Sequence, residues 1–227
     1  LMGDGLINYA LTGKVLEQVT GIDETASSSA VKNSGTIHAD GGQVILQASA
    51  AGDIFSSVVN QSGVIRARSL THEDGIVRLD GGDSGQVTLA GTIDASGPAS
   101  GQTGGRVSLL GESVTLTPTA RIDVSGAGGG GTALIGGQFQ GRGTEPTATT
   151  TLVADRASIS ADALTQGTGG TVIVWADEDT QYAGTISARG GTLGGHGGFV
   201  EVSGKQALDF TGRVDTTAPA GRTGTLL

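Results

Sequence analysis

GTIHA (35–39), GVIRA (63–67) and GTIDA (91–95) are one phrase written three times, and four looser copies follow: RIDV (121–124), SISA (158–161), GTISA (184–188) and GRVDT (212–216). Their first positions lie 28, 28, 30, 37, 26 and 28 residues apart. A period of this length marks one supersecondary unit stacked many times, each copy burying its apolar side against its neighbours. Side chains alternate across a strand, so the Ile and the small residue two places on share one side. The predicted inward column is Ile37, Ile65, Ile93, Ile122, Ile159, Ile186 and Val214. Ala39, Ala67, Ala95, Val124, Ala161, Ala188 and Thr216 run beside it, small enough for a chain turning a corner in a narrow interior.

Two further strands complete each unit. A Gly-rich turn leads into QVIL (43–46), IVRL (76–79), RVSL (106–109), TALI (132–135), TVIV (171–174) and FVEV (199–202), all of the form x-Val-x-Leu. A third strand leads into the next copy as VTLAG (87–91), VTLTP (114–118), QYAG (181–184) and LDFTG (208–212). Tyr182 and Phe210 hold the same place in successive units and are expected to stack in the core. Three strands per unit, each with its own apolar column, predict an all-β chain folded as a parallel β-helix (solenoid). It should have about seven coils of roughly 28 residues, a rod about 35 Å long at one strand spacing per coil. A β-sandwich would instead place turn signals every 8–12 residues or so and pair its strands antiparallel.

The chain reads as one domain. Residues 1–34 form an N-terminal coil with a candidate short helix in GKVLEQV (13–19), and residues 35–227 form the rod. ASAAGDIFSSVV (48–59) is a second candidate helix. The long step from Arg121 to Ser158 contains GGQFQGRGTEPTATTT (136–151), too long for a corner and without apolar alternation. It should form a loop or flap lying over the rod. LMGDGLINYALTG at the start and GRTGTLL at the end both read as strand fragments, so a longer parent protein is expected.

Composition narrows the function classes. Glycine supplies 42 of 227 residues with no Gly-X-Y period, which excludes collagen, and there are four prolines. A formal charge of −9 without Lys/Arg runs argues against nucleic acid and anionic membrane surfaces as partners. No apolar run is long enough to span a bilayer as a helix. The absence of cysteine removes disulfides and thiolate metal sites. No cofactor is expected.

Several residues could carry chemistry. The outward positions of the first strand form the column His38, Arg66, Asp94, Asp123, Ser160, Ser187 and Asp215. Asp94 and Asp123 should sit on adjacent coils. A pair that close could bind Ca²⁺ or share a proton, as in a polysaccharide-active β-helix enzyme. Arg66 beside Asp94 and the usual solvation of an acidic face favour a structural role instead, and the expectation is that the chain is not an enzyme. Asp80 and Asp83 in LDGGDSG (79–85) lack the nonapeptide repeat of a calcium roll. His38, His72 and His196 are too scattered for a metal set, and GAGGGGT (126–132) lacks the Gly-Lys-Ser/Thr of a phosphate loop. Trp175, Phe199 and Phe139 are the best candidates for glycan contact, set against the plainer reading that they cover a corner.

GGTVIVWADEDTQYAGTISARGG (169–191), GGFVEVSGKQALDFTGRVDTTAP (197–219) and GRTGTLL (221–227) resemble large bacterial exoproteins of the filamentous haemagglutinin type. LMGDGLINYAL (1–11) and VVNQSGVIRAR (58–68) are similar to the same family. The resemblance implies a right-handed parallel β-helix in a Gram-negative bacterium, exported through an outer-membrane two-partner secretion pore. It further implies a secreted or cell-surface protein acting in adhesion, in the biofilm matrix or as a contact-dependent toxin, with a glycan or a host or bacterial surface receptor as partner. The family's Asn-Pro-x-Gly type secretion motifs are missing, so the resemblance points to the shaft just beyond the secretion domain. The alternatives are an extracellular glycan-binding module and a polysaccharide-active enzyme. Unpaired strands at the ends of such a rod also invite end-to-end or lateral self-association.

Overall fold

The computed structural model describes residues 9–10, 15–18, 29–47, 57–70 and 74–227. They form a parallel β-solenoid of about six turns with three sheets. Each turn contributes one strand to each sheet in the same order, and every strand pair is parallel. The first sheet stacks Tyr9–Ala10, Thr36–His38, Val64–Arg66, Thr92–Asp94, Arg121–Asp123, Ser158–Ser160, Thr185–Ser187 and Arg213–Asp215. The second stacks Val15–Gln18, Gln43–Gln47, Ile76–Asp80, Arg106–Leu110, Thr132–Ile135, Thr171–Ala176, Phe199–Gly204 and Thr225–Leu226. The third stacks Ser29–Asn33, Ser57–Gln61, Gln86–Leu89, Ser113–Leu116, Thr150–Val153, Asp179–Tyr182 and Ala207–Phe210.

Register follows the repeat. Ile37 pairs with Ile65, Ile65 with Ile93, Ile93 with Ile122, Ile122 with Ile159, Ile159 with Ile186 and Ile186 with Val214. All six isoleucines are buried, Val214 is half-buried, and the adjoining alanines are fully enclosed. In the second sheet Val77, Val107, Ala133, Val172 and Val200 form one inward column, and Leu79, Leu109, Ile135, Val174 and Val202 form the next. A one-residue slip would turn each column to solvent, so identical apolar residues at matched positions hold the coils in register.

The glycines are stacked as strictly as the isoleucines. Gly75, Gly105, Gly131, Gly170, Gly198 and Gly224 each precede a second-sheet strand. At every one from Gly105 onward, an added methyl group would strike the carbonyl oxygen of the glycine one turn earlier. The backbone of each corner lies directly on the backbone below, and only a residue without a side chain permits that approach.

The structure departs from the sequence expectation at three places. Val15–Gln18 is a strand, not part of a helix, because VLEQ pairs residue for residue with VILQ of the next turn, Val15 with Val44 through Gln18 with Gln47. Of the candidate helix at 48–59, residues 48–56 lie outside the described residues, and Ser57–Gln61 is a third-sheet strand. Among the described residues the only helical element is the 3₁₀ turn Phe139–Gly141. The Tyr182 and Phe210 rings do meet, with centroids 5.0 Å apart, but Phe210 is 40% exposed while Tyr182 is buried. The Tyr182 hydroxyl donates to the Arg213 carbonyl at 2.7 Å, and burial pushes its pKa up.

Candidate functional site

Asp94 and Asp123 are direct register partners on adjacent turns. Each spends one carboxylate oxygen on its own corner. Oδ1 of Asp94 accepts from the Ser96 backbone N–H at 3.1 Å and from the Ser96 hydroxyl at 2.6 Å. Oδ1 of Asp123 accepts the same pair from Ser125 at 2.8 and 2.6 Å, and Asp215 does so from Thr217 at 2.9 and 2.7 Å. This is an Asx turn that bends the end of the first strand toward the second sheet. The partner of Asp94 is Arg68, whose Nε donates to Oδ2 at 2.7 Å; Arg66 pairs instead with Asp40 at 2.8 Å. Burial alone would raise the Asp94 pKa, but Ser96 and Arg68 outweigh it and hold the group below the ordinary range. Asp215 is held low by the Thr217 hydroxyl and N–H, with Arg189 adding to the effect.

The carboxylates two positions further on work across turns. Asp162, 4% exposed, accepts from the Ser187 hydroxyl at 2.6 Å, the Arg189 backbone N–H at 2.7 Å and the Arg189 guanidinium at 2.8 and 3.1 Å. Asp80, on the second sheet, is held by Arg78 and the Gly82 N–H. His196 accepts from the Arg222 N–H through Nδ1 at 3.1 Å, and His72 lies outside the described residues. Among the described residues no three His, Asp or Glu side chains converge on a point where a metal could sit.

The insertion gathers the remaining features. Gly136 and Ala148 close its base through a backbone hydrogen bond of 2.7 Å, which makes the segment between them an Ω-like loop. Thr150 and Thr151, counted with the insertion in the sequence, belong to the third-sheet strand Thr150–Val153, and the Thr151 hydroxyl donates to the Trp175 carbonyl at 2.7 Å. Inside the loop, Oε1 of Gln138 accepts from the Thr144 and Glu145 N–H groups at 3.0 and 3.3 Å. Gln140 adopts a left-handed conformation, φ 53° and ψ 29°.

The loop lies on the outer face of the second sheet. There Leu134, Ile173 and Trp175 form an apolar cluster separate from the core, with Phe199 packed against it. Phe139 meets Phe199 edge to face with ring centroids 5.6 Å apart. Gly141 sits so close over the indole that a side chain there would collide with Trp175. Trp175 is 8% exposed, and its Nε1 donates to Asp177 at 3.3 Å; Thr147 donates to the same carboxylate at 2.6 Å. Of the three aromatic residues singled out for glycan contact, Phe139 is the most open, at 45% exposed, while Trp175 is enclosed beneath the loop. A cleft of about 710 Å³ opens beside them, bounded by Arg142, Trp175, Asp177, Glu201 and Lys205.

Polar contacts hold the loop at both ends. Arg78 reaches Glu145 at 2.7 Å while also gripping Asp80; burial works against its charge, and both carboxylates outweigh that, so its pKa is raised. At the other end Glu201, fully buried, accepts from the Gln140 N–H at 3.1 and 3.2 Å. Neither contact was read from the sequence. The available signal was the apolar character of Leu134, Ile173 and Trp175 at outward positions, which demands a cover.

No protein-family profile matches the chain, and no curated protein sequence does. Among solved structures, the chain is similar to the crystal structure of the HMW1 secretion domain from Haemophilus influenzae, with a TM-score of 0.64 and 27% sequence identity. The match covers 84% of this chain and 48% of that one, so the chain spans about half the length of the structure it resembles. The likeness is to a secretion domain, whereas the sequence resemblance pointed to the shaft beyond one.

Proposed function

We propose that this chain is a structural β-solenoid segment of a large secreted bacterial exoprotein of the filamentous haemagglutinin type, acting as a stiff mount for binding or effector regions elsewhere in the polypeptide. The observation that supports it best is the match to the HMW1 secretion domain, which shares with this chain more than a fold at 27% identity. The in-register ladders from Ile37 to Val214 supply the mechanical element, and the corner glycines let successive turns lie in contact. The reading is non-enzymatic: Asp94 and Asp123 close corners, and the role of the chain is to hold shape. Its partner during export is an outer-membrane two-partner secretion pore, and its final place is the cell surface or the medium, where it serves adhesion or the biofilm matrix. Placement in the shaft or in the secretion domain is decided by what the pore requires.

The experiment is fractionation of cells producing the intact protein, with and without the partner pore. The protein should be accessible to protease added outside the cell only when the pore is present. Pore-independent surface exposure, or retention of the protein inside cells that have the pore, would overturn the reading. Turnover of acidic or neutral polysaccharides by the chain, lost in an Asp94→Ala/Asp123→Ala variant, would replace it with the enzymatic one.

A further inference from the structure

In a solenoid each turn touches only the turns beside it, so stability is a sum of nearest-neighbour terms and the rod can fray one turn at a time. The insertion breaks that rule. Arg78, Ser108, Leu134, Ile173 and Glu201 are successive register partners on five neighbouring strands of the second sheet, all on its outer face. The loop that leaves the third of these strands, Thr132–Ile135, returns to the first through Glu145 and Arg78 and extends to the fifth through Gln140 and Glu201. Between the two anchors it covers Ser108, Leu134 and Ile173, which are 4%, 4% and 2% exposed. The geometry points to a strap that ties five turns into one opening unit, with Arg78–Glu145 and Glu201–Gln140 as its two fastenings.

Glu201 is what marks the strap as a fastening and not as decoration. An outward carboxylate on a bare solenoid would keep its water. Here the strap removes that water and returns one N–H, from a residue whose left-handed backbone aims it there. Arg78 at the other end likewise divides its donors between its own strand and the strap. The five turns cannot part singly without uncovering Trp175 or releasing one of these groups. This inference rests on the solenoid being a stiff structural mount, and it adds what resists unzipping.

The test uses the full chain, where Trp175 is the only tryptophan and lies under the strap. Three variants are compared by acrylamide quenching of Trp175 and by hydrogen exchange: Glu145→Ala, Glu201→Ala and Glu201→Gln. Glu145→Ala removes the acceptor for Arg78 at the end of the strap away from Glu201, so its effect on Trp175 reports movement of the strap as a unit. Glu145→Ala and Glu201→Ala should each raise quenching and speed exchange of the Thr171–Ala176 and Phe199–Gly204 amides by about tenfold, with Thr36–His38 unchanged. Glu201→Gln, which keeps an acceptor for the Gln140 N–H, should stay near the parent. Unchanged quenching in both disrupting variants would overturn the strap, as would exchange that rises equally in every strand. Either outcome leaves the extracellular location, tested by fractionation, untouched.

Discussion

At the scale of single residues, the glycines carry as much of the fold as the isoleucines. Gly105 lies on the carbonyl of Gly75, and Gly131 lies in turn on that of Gly105. Gly105→Ala therefore drives a methyl group into backbone that no side-chain rotation can relieve. It should cost about 1–3 kcal/mol or more, the range for overpacking a tight interior. Gly194 provides the contrast, because a Cβ there meets nothing within 4 Å and its φ lies outside the left-handed region. Gly194→Ala should be neutral, or stabilise by a few tenths of a kcal/mol or so by restricting the unfolded chain. Chemical denaturation of both variants measures the difference. If they lose stability equally, stacking is not what selects glycine at these corners.

At the scale of elements, a corner needs an acceptor for the backbone that leaves the sheet, and aspartate supplies it in different ways. Asp94, Asp123 and Asp215 cap their own turns, whereas Asp40 and Asp162 reach backbone N–H groups one turn on, at Arg68 and Arg189. The folded-state pKa values of Asp94 and Asp215 lie below the ordinary 3.8. The unfolded chain thus takes up these protons first as pH falls. The stabilisation is complete well above pH 4 or so and disappears as pH drops through the lowered folded values. Asp94→Asn loses the charge-assisted contacts to Ser96 and Arg68 and should cost about 1–2 kcal/mol at pH 7. Urea midpoints of parent and variant should converge as pH is lowered below about 4, since the parent then loses the same charge. A gap that persists unchanged into acid would assign the stabilisation to shape alone.

At the scale of the whole molecule, the period made the fold legible, because a repeat of identical apolar residues leaves few other ways to pair. Legibility failed where polarity faces inward. Asn33 and Gln61 occupy inward third-sheet positions and bond to each other at 2.8 Å, which hid SAVKN (29–33) and SVVNQ (57–61) from an apolar-alternation reading. Thr151 hid TTLV (150–153) in the same way. The strap fastenings were invisible because Arg78–Glu145 and Gln140–Glu201 join residues 67 and 61 positions apart, set by where the loop lands and not by the repeat. Ile93 is fully buried between Ile65 and Ile122, so Ile93→Asp places an unpaired carboxylate inside one turn, at a cost of several kcal/mol or so. That turn lies within the five joined by the strap, so the cost should spread through the strapped unit. Hydrogen exchange of Ile93→Asp should show protection falling together in Thr92–Asp94, Arg121–Asp123, Ser158–Ser160 and Thr185–Ser187. The variant should melt in a single step at lower temperature. A variant that melts like the parent would remove Ile93 from the inward column; two melting steps, with protection retained in Ser158–Ser160 and Thr185–Ser187, would show that the turns part singly as in an unstrapped rod.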